Sequence, residues 1–157
     1  MGARAFVALG SNLGDRRGFL DGALRELGTT PGVRVVACSR WHDTEAIGGP
    51  AGQARFLNGV LELEVELAPR ALLARLHELE AQAGRERVEV HGPRTLDLDL
   101  LLYDAQRIDE PDLSLPHPLM EQRAFVLAPL ADIAPQLRLP GCGLSVRERL
   151  AQIGGPR

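Results

Sequence analysis

Apolar residues fall into short runs along the chain, separated by glycine and proline. The run Ala5 to Leu9 stops at Gly10-Ser11-Asn12-Leu13-Gly14 and predicts a strand and a turn. Beyond it Phe19, Leu20, Ala23, Leu24 and Leu27 recur at the 3.6-residue period of a helix that Asp15 is placed to cap. Gly28 and Pro31-Gly32 end that helix, the valine-rich residues 33–41 predict a second strand, and residues 42–54 predict a loop. Residues 56–67 alternate. Leu57, Leu61, Leu63, Val65 and Leu67 share one face, and Phe56, Asn58, Val60, Glu62, Glu64 and Glu66 the other. Pro69 suits the first turn of a second helix, whose buried stripe is Leu72, Leu73, Leu76, Leu79 and Ala83 and which Gly84 ends. Residues 96–103 predict a fourth strand, with Leu96, Leu98, Leu100 and Leu102 facing one way and Asp97, Asp99, Leu101 and Tyr103 the other.

The last third is punctuated by prolines and predicts helices over residues 122–133 and 145–153. Strand-helix-strand-strand-helix-strand is the order of a ferredoxin-like α+β core: a mostly antiparallel sheet with helices on one face and the other face free for a ligand. No repeat or linker interrupts it, so residues 1–157 read as one domain.

Composition narrows the chemistry. All 18 basic side chains are arginine, which removes mechanisms built on a lysine, whether a phosphate-loop lysine or a Schiff base. A net charge of −3 and only six aromatic residues give no footprint for nucleic acid. The longest stretch without a charge, from Ala5 to Gly14, has ten residues, half of the roughly 20 that a membrane helix needs. With no signal-peptide pattern either, the expected location is the cytoplasm. Cys38 and Cys142 form no Cys-x-x-Cys pair, and Cys38, among valines, reads as core. The four histidines have no zinc-like spacing.

The sharpest local feature is Asp97-Leu98-Asp99. Two carboxylates at i and i+2 stand on one strand face about 7 Å apart, a presentation of oxygen ligands that suits magnesium. A merely wet strand face explains the pair equally well when it is taken alone. Upstream, a glycine-bounded connection carries Arg85, Arg87 and Arg94, and guanidinium groups bind phosphate oxygens bidentately. The plain alternative is a solvated loop in which Glu86 and Glu89 balance the arginines. On the neighbouring strand Phe56 and Asn58 share a face, a ring and an amide that suit a flat heterocycle, although such a pair is commonplace. Gly10 to Gly14 fits neither dinucleotide nor phosphate-loop patterns and reads as a structural turn. His117, between Pro116 and Pro118, is placed either to bond a phosphate or simply to lie at the surface.

The strings Ala8-Leu9-Gly10-Ser11-Asn12-Leu13-Gly14, Phe56-Leu57-Asn58, Gly92-Pro93-Arg94-Thr95-Leu96-Asp97-Leu98-Asp99 and Pro116-His117-Pro118, with Arg123-Ala124-Phe125-Val126-Leu127, resemble the 6-hydroxymethyl-7,8-dihydropterin pyrophosphokinases of folate biosynthesis. The resemblance spans essentially the whole chain. It implies transfer of a pyrophosphoryl group from ATP to the pterin hydroxymethyl group, release of AMP, and two magnesium ions. It makes Asp97 and Asp99 the magnesium ligands. Thr44, Ile47, Gly48 and Asn58 would contact the pterin, and Phe56 and Phe125 would sandwich it. Glu80, Arg85, Arg87, Arg94, His117 and Arg123 would hold the nucleotide, with Arg85 and Arg94 also acting in catalysis. It also raises a hand-off of product to dihydropteroate synthase, on which no residue bears. The chain departs from the family pattern at His91, where many relatives have tryptophan, at Asp112, where some have arginine, and at Ala46, where proline is common. No residue stands out as a general base, and in-line attack on the β-phosphorus needs only charge stabilisation. Two other readings stand beside it: a ferredoxin-like module that senses a small ligand or joins partners without chemistry, which has no need for Asp97, Asp99, Arg94 and Arg123 together, and a magnesium-dependent nucleotidyl or phosphoryl transferase with another acceptor.

Overall fold

The computed structural model describes residues 2–45, 54–84 and 95–154. Its main sheet contains β1 (Ala3–Ser11), β2 (Val33–Cys38), β3 (His42–Thr44), β4 (Phe56–Val65) and β5 (Asp97–Tyr103). The order is β2-β4-β1-β5 with β3 also on β4, and every pairing is antiparallel. This is the ferredoxin-like order, with α1 (Arg16–Gly28) and α2 (Pro69–Gln82) as its crossovers. Asp15 caps α1 by accepting from the Gly18 N–H at 3.0 Å, and Pro69 opens α2.

One core lies between the sheet and these helices, joining Ala5, Val7, Leu9, Leu61 and Leu63 to Leu20, Leu27, Leu72 and Leu76. The opposite face is not left free, as the sequence suggests. A second core of Phe6, Val60, Leu101, Leu102, Met120, Val126, Leu127 and Leu130 covers much of it, built by α3 (Ala124–Ile133) and α4 (Val146–Ile153). Val60, expected on a polar face, is fully buried there. The reason is the apolar composition of α3, which needs a sheet face to bury itself against. Pro129 sits inside this helix and removes the N–H that would bond the Phe125 carbonyl.

Three further features depart from expectation. The second predicted strand ends early: β2 stops at Cys38, and a separate strand β3 begins at His42, inside the expected loop. A shift in register between Phe6 and Val7 inserts Leu101 into β5, so Leu102 turns to the second core and Tyr103 to the first. Tyr103 Oη there donates to the Leu67 carbonyl at 2.6 Å. Cys38 is exposed on edge strand β2 and is not core. In the proline-rich third a hairpin forms from β6 (Ile108–Glu110) and β7 (Leu113–Leu115). Among the described residues no helix is long and apolar enough to cross a membrane.

Candidate active site

The register of β1 organises the site. Gly10 pairs with Asn58 of β4 on one side and with Asp97 of β5 on the other, so an amide and a carboxylate flank a residue with no side chain. A Cβ at Gly10 would stand 3.0 Å from Asn58 Oδ1 and 3.6 Å from Phe56 Cδ1. The glycine therefore keeps open the space over which the Asn58 carbonyl oxygen is directed. The sequence reads Gly10 as the start of a turn; it lies instead within β1, and only the strand register reveals this role.

Asn58 is buried, and its Nδ2 donates to Thr44 Oγ1 at 2.5 Å. Thr44, also buried, lies in β3 opposite Phe56. Having accepted from Asn58, the threonine hydroxyl keeps its proton to donate, and the asparagine keeps its carbonyl to accept. The structure thus joins three of the expected pterin contacts, Phe56, Asn58 and Thr44, at one end of the sheet.

Asp97 and Asp99 are half-buried and alternate with the buried Leu98 and Leu100. Glu80, a buried carboxylate on α2, accepts from the Leu98 N–H at 2.8 Å. Just outside this strand lies a cavity of about 270 Å³, lined by Leu73, His77 and Glu80 of α2, by Leu98 to Leu100, by residues 111–114 of the hairpin, and by His117 and Pro118. Of these, Leu73 reads in the sequence as core, and His77 and Ser114 carry no signal in any motif. Asp112, at the cavity rim, pairs with Arg70 at 2.7 Å, and Arg70 also pairs with Glu110, so the hairpin is tied to α2.

His117 links the two regions. Its backbone N–H donates to Leu101 O, and its Nδ1 accepts from the Leu119 N–H at 3.2 Å, which places the neutral ring's proton on Nε2. Burial lowers its pKa, Arg123 lowers it further, and Asp97 opposes them. The Arg123 guanidinium lies over the Phe125 ring, 5.4 Å from its centroid. Of the expected site residues, Ile47, Gly48, Arg85, Arg87 and Arg94 lie outside the described residues, as do Ala46 and His91. Among the described residues no group of three or more His, Cys, Asp or Glu is arranged to hold a metal. Asp97 and Asp99 still fit magnesium by donor chemistry, since that ion needs only one or two carboxylates when phosphate and water complete its shell.

Residues 6–135 match the family model of 7,8-dihydro-6-hydroxymethylpterin-pyrophosphokinase. The chain belongs to this family. It is similar to the 2-amino-4-hydroxy-6-hydroxymethyldihydropteridine pyrophosphokinase of Pseudomonas aeruginosa, 50% identical over 87% of this chain and 84% of that protein. The protein of the same name from Methylorubrum extorquens is 43% identical over 96% and 93% of the two chains. Among solved structures, a crystal structure of HPPK-DHPS in complex with substrates superposes with a TM-score of 0.75 at 12% identity. That likeness is one of fold. It covers 96% of this chain and 43% of the other, so the chain spans less than half the length of that solved protein. Like the family it belongs to, the chain is a pyrophosphokinase of folate biosynthesis.

Proposed function

We propose that this end of the sheet moves a pyrophosphoryl group from ATP to the hydroxymethyl oxygen of 6-hydroxymethyl-7,8-dihydropterin, with the pterin over Gly10 and the nucleotide in the cavity beside α2. The observation that carries the reading is the row Asn58, Gly10, Asp97 across three paired strands. It sets a hydrogen-bonding group for a heterocycle and a metal-ligating group side by side over an open floor. Asn58, Thr44, Ile47 and Gly48 recognise the pterin edge, and Phe56 and Phe125 take its two faces. Glu80, His117 and Arg123 hold the nucleotide, joined by Arg85, Arg87 and Arg94.

Asp97 and Asp99 hold magnesium, two ions in all, which supplies Lewis-acid neutralisation of phosphate charge when bound. In the reaction the alcohol oxygen bonds to the β-phosphorus as the bond from that phosphorus to the oxygen bridging it to the α-phosphorus breaks. AMP leaves with that oxygen, and the alcohol proton passes to solvent. His117, whose Nδ1 accepts from the Leu119 N–H, presents its Nε2 proton to a phosphate oxygen. Arg123 brings a positive charge beside the ring-stacking Phe125, so the same residue neighbours both substrates.

Residues 1–157 act as one cytoplasmic domain. This domain hands the pterin diphosphate to dihydropteroate synthase, a step supported by solved chains that bear both names, HPPK-DHPS. The residue assignment is tested with Asp97→Ala and Asn58→Ala. The first abolishes AMP formation while the circular dichroism spectrum is unchanged. The second raises the KM for the pterin and leaves that for ATP in place. Undiminished turnover in the first variant refutes the metal assignment.

A further inference from the structure

The strand that carries Thr44 is three residues long, stands on the edge of the sheet, and pairs only with β4 among the described strands. Backbone pairing over three residues holds such an edge loosely. Both faces of β3, however, carry ionic ties. On one face Asp43 accepts from Arg55 Nε at 2.8 Å and from Arg16 Nη2 at 3.2 Å. On the other, Asp132 of α3 accepts from His42 Nε2 at 2.7 Å, and also from the Arg40 backbone N–H and the Arg40 guanidinium.

The His42–Asp132 contact is the more buried of the two ties. The side chains of His42 and Asp132 are only 17% and 19% exposed, so their contact is poorly screened. Burial raises the Asp132 pKa, but the hydrogen bonds from His42 and Arg40 outweigh it and hold the carboxyl below its usual range. Asp132 also stands in the last turn of α3, the end of a helix where a carboxylate is disfavoured. The helix gains nothing from it there; the strand does. His42 is paired with Asn58, two residues before Thr44, so all three share one face of the sheet.

We propose that Asp132 is a positioning residue for pterin recognition: through His42 and Arg40 it holds β3 against α3 so that Thr44 meets Asn58 in the geometry the pterin reads. This rests on the reading above, in which Thr44 and Asn58 bind the pterin.

The test compares steady-state kinetics of Thr44→Val, Asp132→Ala, His42→Phe and His42→Gln, with thermal melts of each. Asp132→Ala and His42→Phe are expected to raise the pterin KM about five- to tenfold, with kcat and the KM for ATP within twofold of the parent. His42→Gln keeps an N–H donor toward Asp132 and is expected to retain most of the parent pterin KM. If Thr44→Val raises the pterin KM but Asp132→Ala and His42→Phe do not, the positioning role is wrong and the site reading stands. If Thr44→Val leaves the pterin KM unchanged, the site reading fails and the inference with it. If Asp132→Ala lowers kcat, raises both KM values and lowers the melting temperature together, Asp132 is merely structural and the proposal is overturned. A pterin KM in His42→Gln as high as in His42→Phe overturns it too.

Discussion

Glu80, buried on α2, accepts a 2.8 Å hydrogen bond from the backbone N–H of Leu98, the residue between Asp97 and Asp99. Among the described strands β5 lies at the edge of the sheet, and the glutamate supplies the acceptor that a further strand would otherwise offer. The bond fixes the backbone on which both carboxylates stand. Replacing Glu80 by Met leaves the Leu98 amide unsatisfied and is expected to cost about 1–3 kcal/mol of stability. With Asp97 and Asp99 as the proposed magnesium ligands, the same variant is expected to need more magnesium for half-maximal rate. Glu80→Gln keeps an acceptor and is expected to approach the parent in both. Denaturant midpoints and magnesium titrations of the rate check this; a Met variant equal to the parent in both would remove Glu80 from the positioning of β5.

Gly10→Ala tests the floor of the proposed pterin site. The added Cβ would stand 3.0 Å from Asn58 Oδ1, closer than a carbon and an oxygen comfortably approach, so the amide must turn away. The pterin KM is expected to rise while the ATP KM holds. Equal losses for both substrates would mean that the substitution disturbs the sheet rather than the Asn58 amide.

His117 gives the apo protein a pH signature. Its pKa is lowered in the folded chain by burial and by Arg123, below the 6.5 of the free side chain. The unfolded chain then binds the proton more readily, and stability rises with pH where the two states differ. Its contribution is therefore complete above about pH 6.5 and is lost as the pH falls through the lower folded value. Denaturation curves between pH 4 and 8, without magnesium or nucleotide, are expected to show a slope that His117→Gln reduces. An identical slope in the variant would mean that another group is responsible.

Much of this molecule is legible from periodicity. The helical stripe of α1, its Asp15 cap, the alternation of β4 and the proline start of α2 follow from local residue patterns, and the resulting order of elements along the chain is that of a ferredoxin-like core. What escapes a sequence reading depends on distant pairing. The inserted Leu101 in β5 arises where β1 and β5 meet, so the strict alternation expected there breaks after Leu100. The covered second face requires α3 to find the sheet from across the chain, which no local pattern of Val60 announces. In the site, Asp97, Asp99, Phe56 and Asn58 are visible as chemistry-bearing types at strand spacing. Gly10 and Asp132 are not, because one acts by lacking a side chain between two partners and the other through a strand 90 residues away.

The central claim, that β5 and its neighbours direct attack to the β-phosphorus, is tested most directly by product analysis. The protein is incubated with ATP, magnesium and 6-hydroxymethyl-7,8-dihydropterin, and nucleotides and pterin esters are resolved by phosphorus NMR, with Asp97→Ala run in parallel. Equal amounts of AMP and pterin diphosphate are expected from the parent and neither from the variant. ADP with a pterin monophosphate, or AMP formed as fast by Asp97→Ala as by the parent, would contradict the account.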